Sequence, residues 1–344
     1  MNYRLSIAAL GSIAALAGGN GCRRRTTEAA AAAAPAGAAA RPEVSQRILT
    51  VGAEHACVLR ADRVLRCWGS NASGQLGNGQ KSSDGSPPLT VALTGVVSVA
   101  AAQSSTCVVL GNHTVQCWGM GMNKQLGQAD SEDHPIPVVV PGLPAVVEVA
   151  AGDEHYCARA EGGPVWCWGG NGGNQAGPGR GQVSPQAIPG VTDATALALG
   201  GVHSCALLAN GTVRCWGASP QGSGDGHSHD GESSLVTGIT DAEAVFARGR
   251  LTCVRSRGGT VRCWGDLPAG LAADIAAATT AAQPRELASL QGMRAIGIGG
   301  VGFQCIVDGA GTPKCWGTNG AGCLGDGTAQ ARTTPTAVNG LTAV

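Results

Sequence analysis

The chain has 344 residues, and its 23 basic side chains balance its 23 acidic ones. Overall charge therefore gives no reason to expect nucleic acid or an anionic membrane surface as a partner. With 55 Gly and 17 Pro the chain is rich in turns, while aromatic residues make up only 3% of it and leave few large side chains to fill a core.

From the N-terminus, residues 1–4 carry one Arg, and Leu5 to Ala17 form an apolar run. That run is short for a bilayer span but suits the apolar region of a signal peptide, so export is expected. Two processing routes stay open. Cleavage after Ala15-Leu16-Ala17 would release a soluble product beginning at Gly18. Alternatively, Gly21-Cys22 resembles the end of a bacterial lipobox, which would acylate Cys22 and tie the protein to a membrane at the cell envelope. Gly19 and Asn20 stand where that pattern prefers Leu and a small residue, and Arg23, Arg24 and Arg25 resist translocation on either route. Residues 1–22 are thus assigned to a signal segment. Residues 23–46 are mostly Ala, with Pro35, Gly37 and Pro42 and no apolar periodicity, as in a disordered tether.

Residues 47–344 are organised by a repeat. Six cysteine pairs share a spacing of ten: Cys57 and Cys67, Cys107 and Cys117, Cys157 and Cys167, Cys205 and Cys215, Cys253 and Cys263, and Cys305 and Cys315. Trp-Gly follows each second cysteine, and the first cysteines recur at intervals of 50, 50, 48, 48 and 52 residues. A period near 50 with strand-like content indicates an array of small sheets, most simply a single all-β propeller of about six blades. The final Gly340-Leu341-Thr342-Ala343-Val344 matches Gly142-Leu143-Pro144-Ala145-Val146, whose continuation is missing at the C-terminus but present from Arg47 onward. A ring closed by one blade drawn from both chain ends is the expectation.

The segment Cys67-Trp68-Gly69-Ser70-Asn71-Ala72-Ser73-Gly74-Gln75-Leu76-Gly77-Asn78-Gly79, preceded by Gly52-x-x-His55, resembles the repeat of the regulator of chromosome condensation family. The resemblance covers residues 47–344. Unit four is shortened after Trp216, and unit five, at Asp266-Leu267-Pro268-Ala269, has lost the motif. Members of that family usually have seven blades, one more than the repeats counted here.

Within each unit the cysteines lie in a hairpin. Direct opposition of Cys205 and Cys215 places Leu208 opposite Thr212 around the loop Ala209-Asn210-Gly211. Such a loop requires a positive φ at its third residue, which Gly211 supplies, as do Gly163, Gly259 and Gly311 elsewhere. Arg63 and His113 occupy that position in units one and two, and should strain the turn or change its type. Opposed cysteines are close enough to bridge, giving six disulfides. Zinc is a poorer account, because nine residues separate the cysteines of each pair and neighbouring pairs belong to different blades. Cys323 would be left as a free thiol if Cys22 is lipidated, or could pair with it if it is not.

His55, His155 and His203 each precede a first cysteine by two residues and are assigned to packing, because a catalytic group seldom recurs blade by blade. The run Asp225-Gly226-His227-Ser228-His229-Asp230 is peculiar to one blade. Its alternating His227 and His229, with Asp225 or Asp230, would suit a metal ion, although an exposed polar loop explains the same residues. No catalytic constellation or cofactor motif stands out.

These features point to a non-enzymatic binding scaffold, monomeric, at the cell envelope or secreted, recognising a protein or a glycan through its blade loops. A hydrolase or lyase with its site in the propeller mouth is the alternative. The guanine-nucleotide exchange and chromatin role of the family's nuclear members fits less well with an export signal and zero net charge.

Overall fold

The computed structural model describes residues 49–59, 63–218, 229–266, 280–293, 295–298, 303–317, 319, 324 and 326–339. Each repeat forms one four-stranded antiparallel sheet with its strands in chain order. The first sheet contains β1 (Leu49–Val51), β2 (His55–Leu59), β3 (Leu65–Asn71) and β4 (Ser82–Thr90). The second contains β5 (Val96–Ala101), β6 (Ser105–Leu110), β7 (Val115–Gly119) and β8 (His134–Val139). The third contains β9 (Val146–Ala151), β10 (His155–Ala160), β11 (Val165–Asn171) and β12 (Gly181–Ala187). The fourth contains β13 (Ala194–Leu199), β14 (His203–Leu208), β15 (Val213–Gly217) and β16 (His229–Leu235). The fifth contains β17 (Ala242–Arg248), β18 (Leu251–Ser256), β19 (Val261–Asp266) and β20 (Thr280–Glu286). The sixth contains β21 (Ala295–Ile298), β22 (Phe303–Val307), β23 (Pro313–Gly317) and β24 (Arg332–Ala337). Among the described residues the one helical turn is a 3₁₀ turn at Ala288–Leu290. The molecule is an all-β propeller of six blades.

The hairpin register follows from the turn. Cys205 faces Cys215 and Leu207 faces Val213, while the Leu208 N–H donates to Thr212 O over 2.9 Å. Gly211 adopts φ 84°, and its own N–H returns to Leu208 O. His113 keeps the same turn, its N–H donating to Leu110 O, and both Arg63 and His113 accept the strained conformation with φ 60° and 66°. The residue at this position also joins neighbouring blades. The oxygens of His113, Gly163, Gly211 and Gly259 accept N–H groups from Val146, Ala194, Ala242 and Gly292, the first three opening the first strand of the next blade and Gly292 lying three residues before it.

Between consecutive blades the core is aliphatic, with one Trp at each of the five interfaces described. The cluster of Cys157, Cys167, Leu197, Leu208 and Trp216, for example, takes residues from two blades. Trp118, Trp168, Trp216, Trp264 and Trp316 are all but fully buried, whereas Trp68 is only partly so. The first sheet is built wholly from residues 49–90. The C-terminal segment expected to complete it, residues 340–344, lies outside the described residues.

Candidate binding surface

The repeated motif is a latch between blades. Trp118 Nε1 donates to Gln75 O, Trp168 Nε1 to Gln125 O, and Trp216 Nε1 to Gln175 O, each over 2.9 Å. The loop that presents this oxygen is held by its own side chains. Asn71 Oδ1 accepts the Leu76 N–H and Gln75 Oε1 accepts the Ser73 N–H, and Asn171 and Gln175 repeat both bonds. The fifth unit lacks the motif, and the buried Trp316 Nε1 of the next blade has no acceptor among the described residues.

The three repeated histidines are structural. His55 Nε2 lies 2.9 Å from Thr106 Oγ1, His155 Nε2 2.8 Å from Ser204 Oγ, and His203 Nε2 2.7 Å from Thr252 Oγ1, always across a blade boundary. Thr106 and Ser204 give their hydroxyl hydrogens to Gln75 O and Gln175 O. His55 and His155 therefore carry their proton on Nε2, and their Nδ1 atoms have no hydrogen-bond donor among the described residues. Burial lowers their pKa values, to about 4 for His55 and His203 and about 3 for His155, so all three rings are neutral. Blade two has Ser105 at the histidine position. There Tyr156 of the third blade reaches across, its hydroxyl 2.9 Å from Ser105 Oγ and accepting the Ala102 N–H over 3.2 Å.

The surface departs from this regularity at the rim of blade two. Met122, Ile136 and Val139 are 59%, 55% and 55% exposed, and they are three of the five large hydrophobic side chains exposed among the described residues. Val139 also borders an open groove of about 460 Å³, walled by the hairpin turn Asn112–Val115 and the loop Val140–Ala145. An ion pair across 3.0 Å, Lys81 to Asp133, fixes the loop of blade one beside this rim. Exposed apolar side chains on one blade, one of them at the mouth of a groove, favour contact with another macromolecule.

A family model described as the regulator of chromosome condensation (RCC1) repeat matches residues 67–109 and 112–159, and a second of the same description matches 48–75, 146–175 and 194–228. The repeats matched in this chain are RCC1 repeats. The solved structure of Prp20p from Saccharomyces cerevisiae is 21% identical with a TM-score of 0.70, covering 85% of this chain and 76% of that one. Yeast RCC1 (Prp20) bound by Kap60 is 20% identical with a TM-score of 0.73, covering 87% and 76%. Human WBSCR16 is 21% identical with a TM-score of 0.72, covering 86% and 83%. At these identities the likeness is one of fold. No curated protein matches the chain.

In this RCC1-repeat propeller all six expected cysteine pairs are bridged, each with Cα atoms 4.1 Å apart. Of the polar run, Asp225, His227 and the residues between them lie outside the described residues. The backbone of His229 and Asp230 opens β16, and their side chains are not described. Cys22 and Cys323 also lie outside the described residues. Among the described residues no three His, Cys, Asp or Glu side chains are grouped to hold a metal ion. Sequence reasoning missed the blade-two rim. Its signal was the run His134-Pro135-Ile136-Pro137-Val138-Val139, where apolar residues occupy an outer strand.

Proposed function

We propose that this RCC1-repeat propeller is an exported, non-catalytic scaffold that holds a protein partner against the rim of blade two. The observation that carries the proposal is the exposure of Met122, Ile136 and Val139 on blade two, with Val139 bordering the groove at Val139–Ala145. An apolar rim suits a protein better than a glycan, whose hydroxyls need polar partners. The neighbouring folds support a role in protein binding, since Prp20p is described with its binding to Gsp1p and histones, and yeast RCC1 with Kap60. Six buried disulfides support export, because such bonds persist in oxidising compartments. Cys22 would anchor the scaffold to a membrane if acylated, and cleavage after Ala17 would release it.

The test compares the wild-type chain with a Met122→Ser, Ile136→Thr, Val139→Thr variant as bait in an envelope extract. One protein retained by the wild type and lost with the variant is the expected result. Identical retention by both would remove the rim from the proposal. Intact mass of the mature protein distinguishes lipidation from cleavage.

A further inference from the structure

Each blade ends in an outer strand that pairs with only one strand of its own sheet. Such an edge is a template for a strand from another chain unless something blocks it. The six outer strands can be aligned on the residue opposite the second cysteine, namely Leu89, Val138, Gln186, Ser234, Arg285 and Thr336. The residue before it is Pro88, Pro137, Pro185, Pro284 and Pro335 in five blades, and Ser233 in the fourth. Proline has no N–H, so a strand accepts it where that group would face away from the sheet. The alternation agrees. The Val236 N–H donates inward to Val213 O over 2.9 Å, so Ser234 also points inward, while Ser233 and Leu235 point outward. In five blades proline removes the outward donor, and β16 keeps it.

Two further features mark this edge. Leu235 is 49% exposed. Arg214, which pairs across the ladder with Leu235, donates from Nη1 to Ser233 O over 2.8 Å and to Ser233 Oγ over 3.2 Å. Arg214 has no carboxylate within ion-pair distance among the described residues, and the Ser233 hydroxyl donates to Pro189 O over 2.7 Å. Arg214, Ser233 and Leu235 share one face of the sheet, because cross-strand partners point the same way and side chains alternate.

We infer that the outer edge of the fourth blade is a strand-addition site for an extended peptide of a partner protein. The peptide runs antiparallel to β16, with an apolar residue opposite Leu235 and an acidic residue two positions later, opposite Ser233. A peptide N–H takes the Ser233 carbonyl from Arg214, and the released guanidinium meets the peptide carboxylate. A second copy of this chain is a poorer occupant, because β16 contains no apolar residue followed two places later by an acidic one. The site is separate from the blade-two rim and does not depend on it.

Fluorescence anisotropy tests the site with a labelled eight-residue peptide of alternating threonine and valine that carries one glutamate two places after a central valine. It is titrated with the folded full chain. Saturable binding is expected, and Ser233→Pro, which installs the residue of the five sister blades, should weaken it by about tenfold or more in a chain that still unfolds cooperatively. Arg214→Gln should abolish the preference for this peptide over its glutamine counterpart. Absence of saturable binding, or equal binding by Ser233→Pro, overturns the site. A wild-type dimer that becomes monomeric in Ser233→Pro, seen by sedimentation, overturns the heterologous occupant.

Discussion

Trp118 of the second blade donates its indole N–H to the main-chain oxygen of Gln75 in the first, over 2.9 Å and 43 residues of sequence. Gln75 O also receives the Thr106 hydroxyl, and Thr106 in turn receives His55 Nε2 from the first blade. One carbonyl thus joins a tryptophan, a threonine and a histidine across a single boundary. Every group involved is buried, so each is costly to leave without its partner.

At the next boundary Gln125 O depends on Trp168 Nε1, and the Trp168 ring stacks on Tyr156 with centroids 5.9 Å apart. Trp168→Phe should cost about 1–3 kcal/mol by stranding that oxygen. Trp168→Ala should cost about 3–5 kcal/mol by adding a cavity. Trp68→Phe, at a partly exposed ring, should cost less than either. Denaturant midpoints of the three variants check this order.

The buried histidines make the fold sensitive to acid. Their folded-state pKa values lie below the ordinary 6.5, at about 4 for His55 and His203 and about 3 for His155. The unfolded chain therefore binds more protons below pH 6.5, and the folded state excludes them. Stability is complete above about pH 6.5 and falls as pH drops through the window from there to about 3–4, by up to about 1.4 kcal/mol per pH unit for each histidine. His155→Gln should flatten the pH dependence by about one proton, as measured by unfolding titrations at several pH values.

Glu148 and Arg159 form a pair across β9 and β10 at 2.9 Å, with side chains only 6% and 11% exposed. Removing one partner, as in Glu148→Gln or Arg159→Met, should cost about 3–5 kcal/mol by leaving a buried charge uncompensated. The double variant Glu148→Leu, Arg159→Met should recover most of that loss. A double-mutant cycle in denaturant is the measurement.

The hairpin turns offer a test in both directions. Arg63 holds φ 60° where four sister blades have glycine, and Arg63→Gly should be neutral or stabilising by up to about 1 kcal/mol. Gly163→Ala should destabilise by more than about 2 kcal/mol, since φ is 109° and a new Cβ would stand 2.6 Å from Asp193 Cα. Thermal unfolding of the two variants should move in opposite senses or, for Arg63→Gly, not at all.

The disulfides predict a chemical result. Alkylation should leave all twelve bridged cysteines unlabelled in the unreduced chain, even after unfolding in denaturant, because none carries a thiol. Each lost bridge should lower stability by about 3 kcal/mol or less.

Much of the fold was legible because it rests on local relations repeated six times. Ten residues around a turn with positive φ fix a hairpin register, and that register alone opposes Cys205 to Cys215. The structural role of His55, His155 and His203 was legible for the same reason, from recurrence. Their partners were not. Thr106, Ser204 and Thr252 lie 49 to 51 residues away, and only blade packing brings them to the rings. Tyr156 filling the place left by Ser105 was hidden likewise, since neither residue belongs to the repeat.

The sequence by itself determined what each repeat becomes, since strand alternation, turn glycines and cysteine spacing act within about fifteen residues. It also determined how many repeats there are. Tertiary structure decided which side chains are left uncovered. The run His134–Val139 and the serine at 233 are visible in the sequence, but that Ile136, Val139 and Leu235 stay exposed is decided by how the blades pack. The core was therefore set by what the blades share, and the candidate binding surfaces by the places where one blade differs from its neighbours.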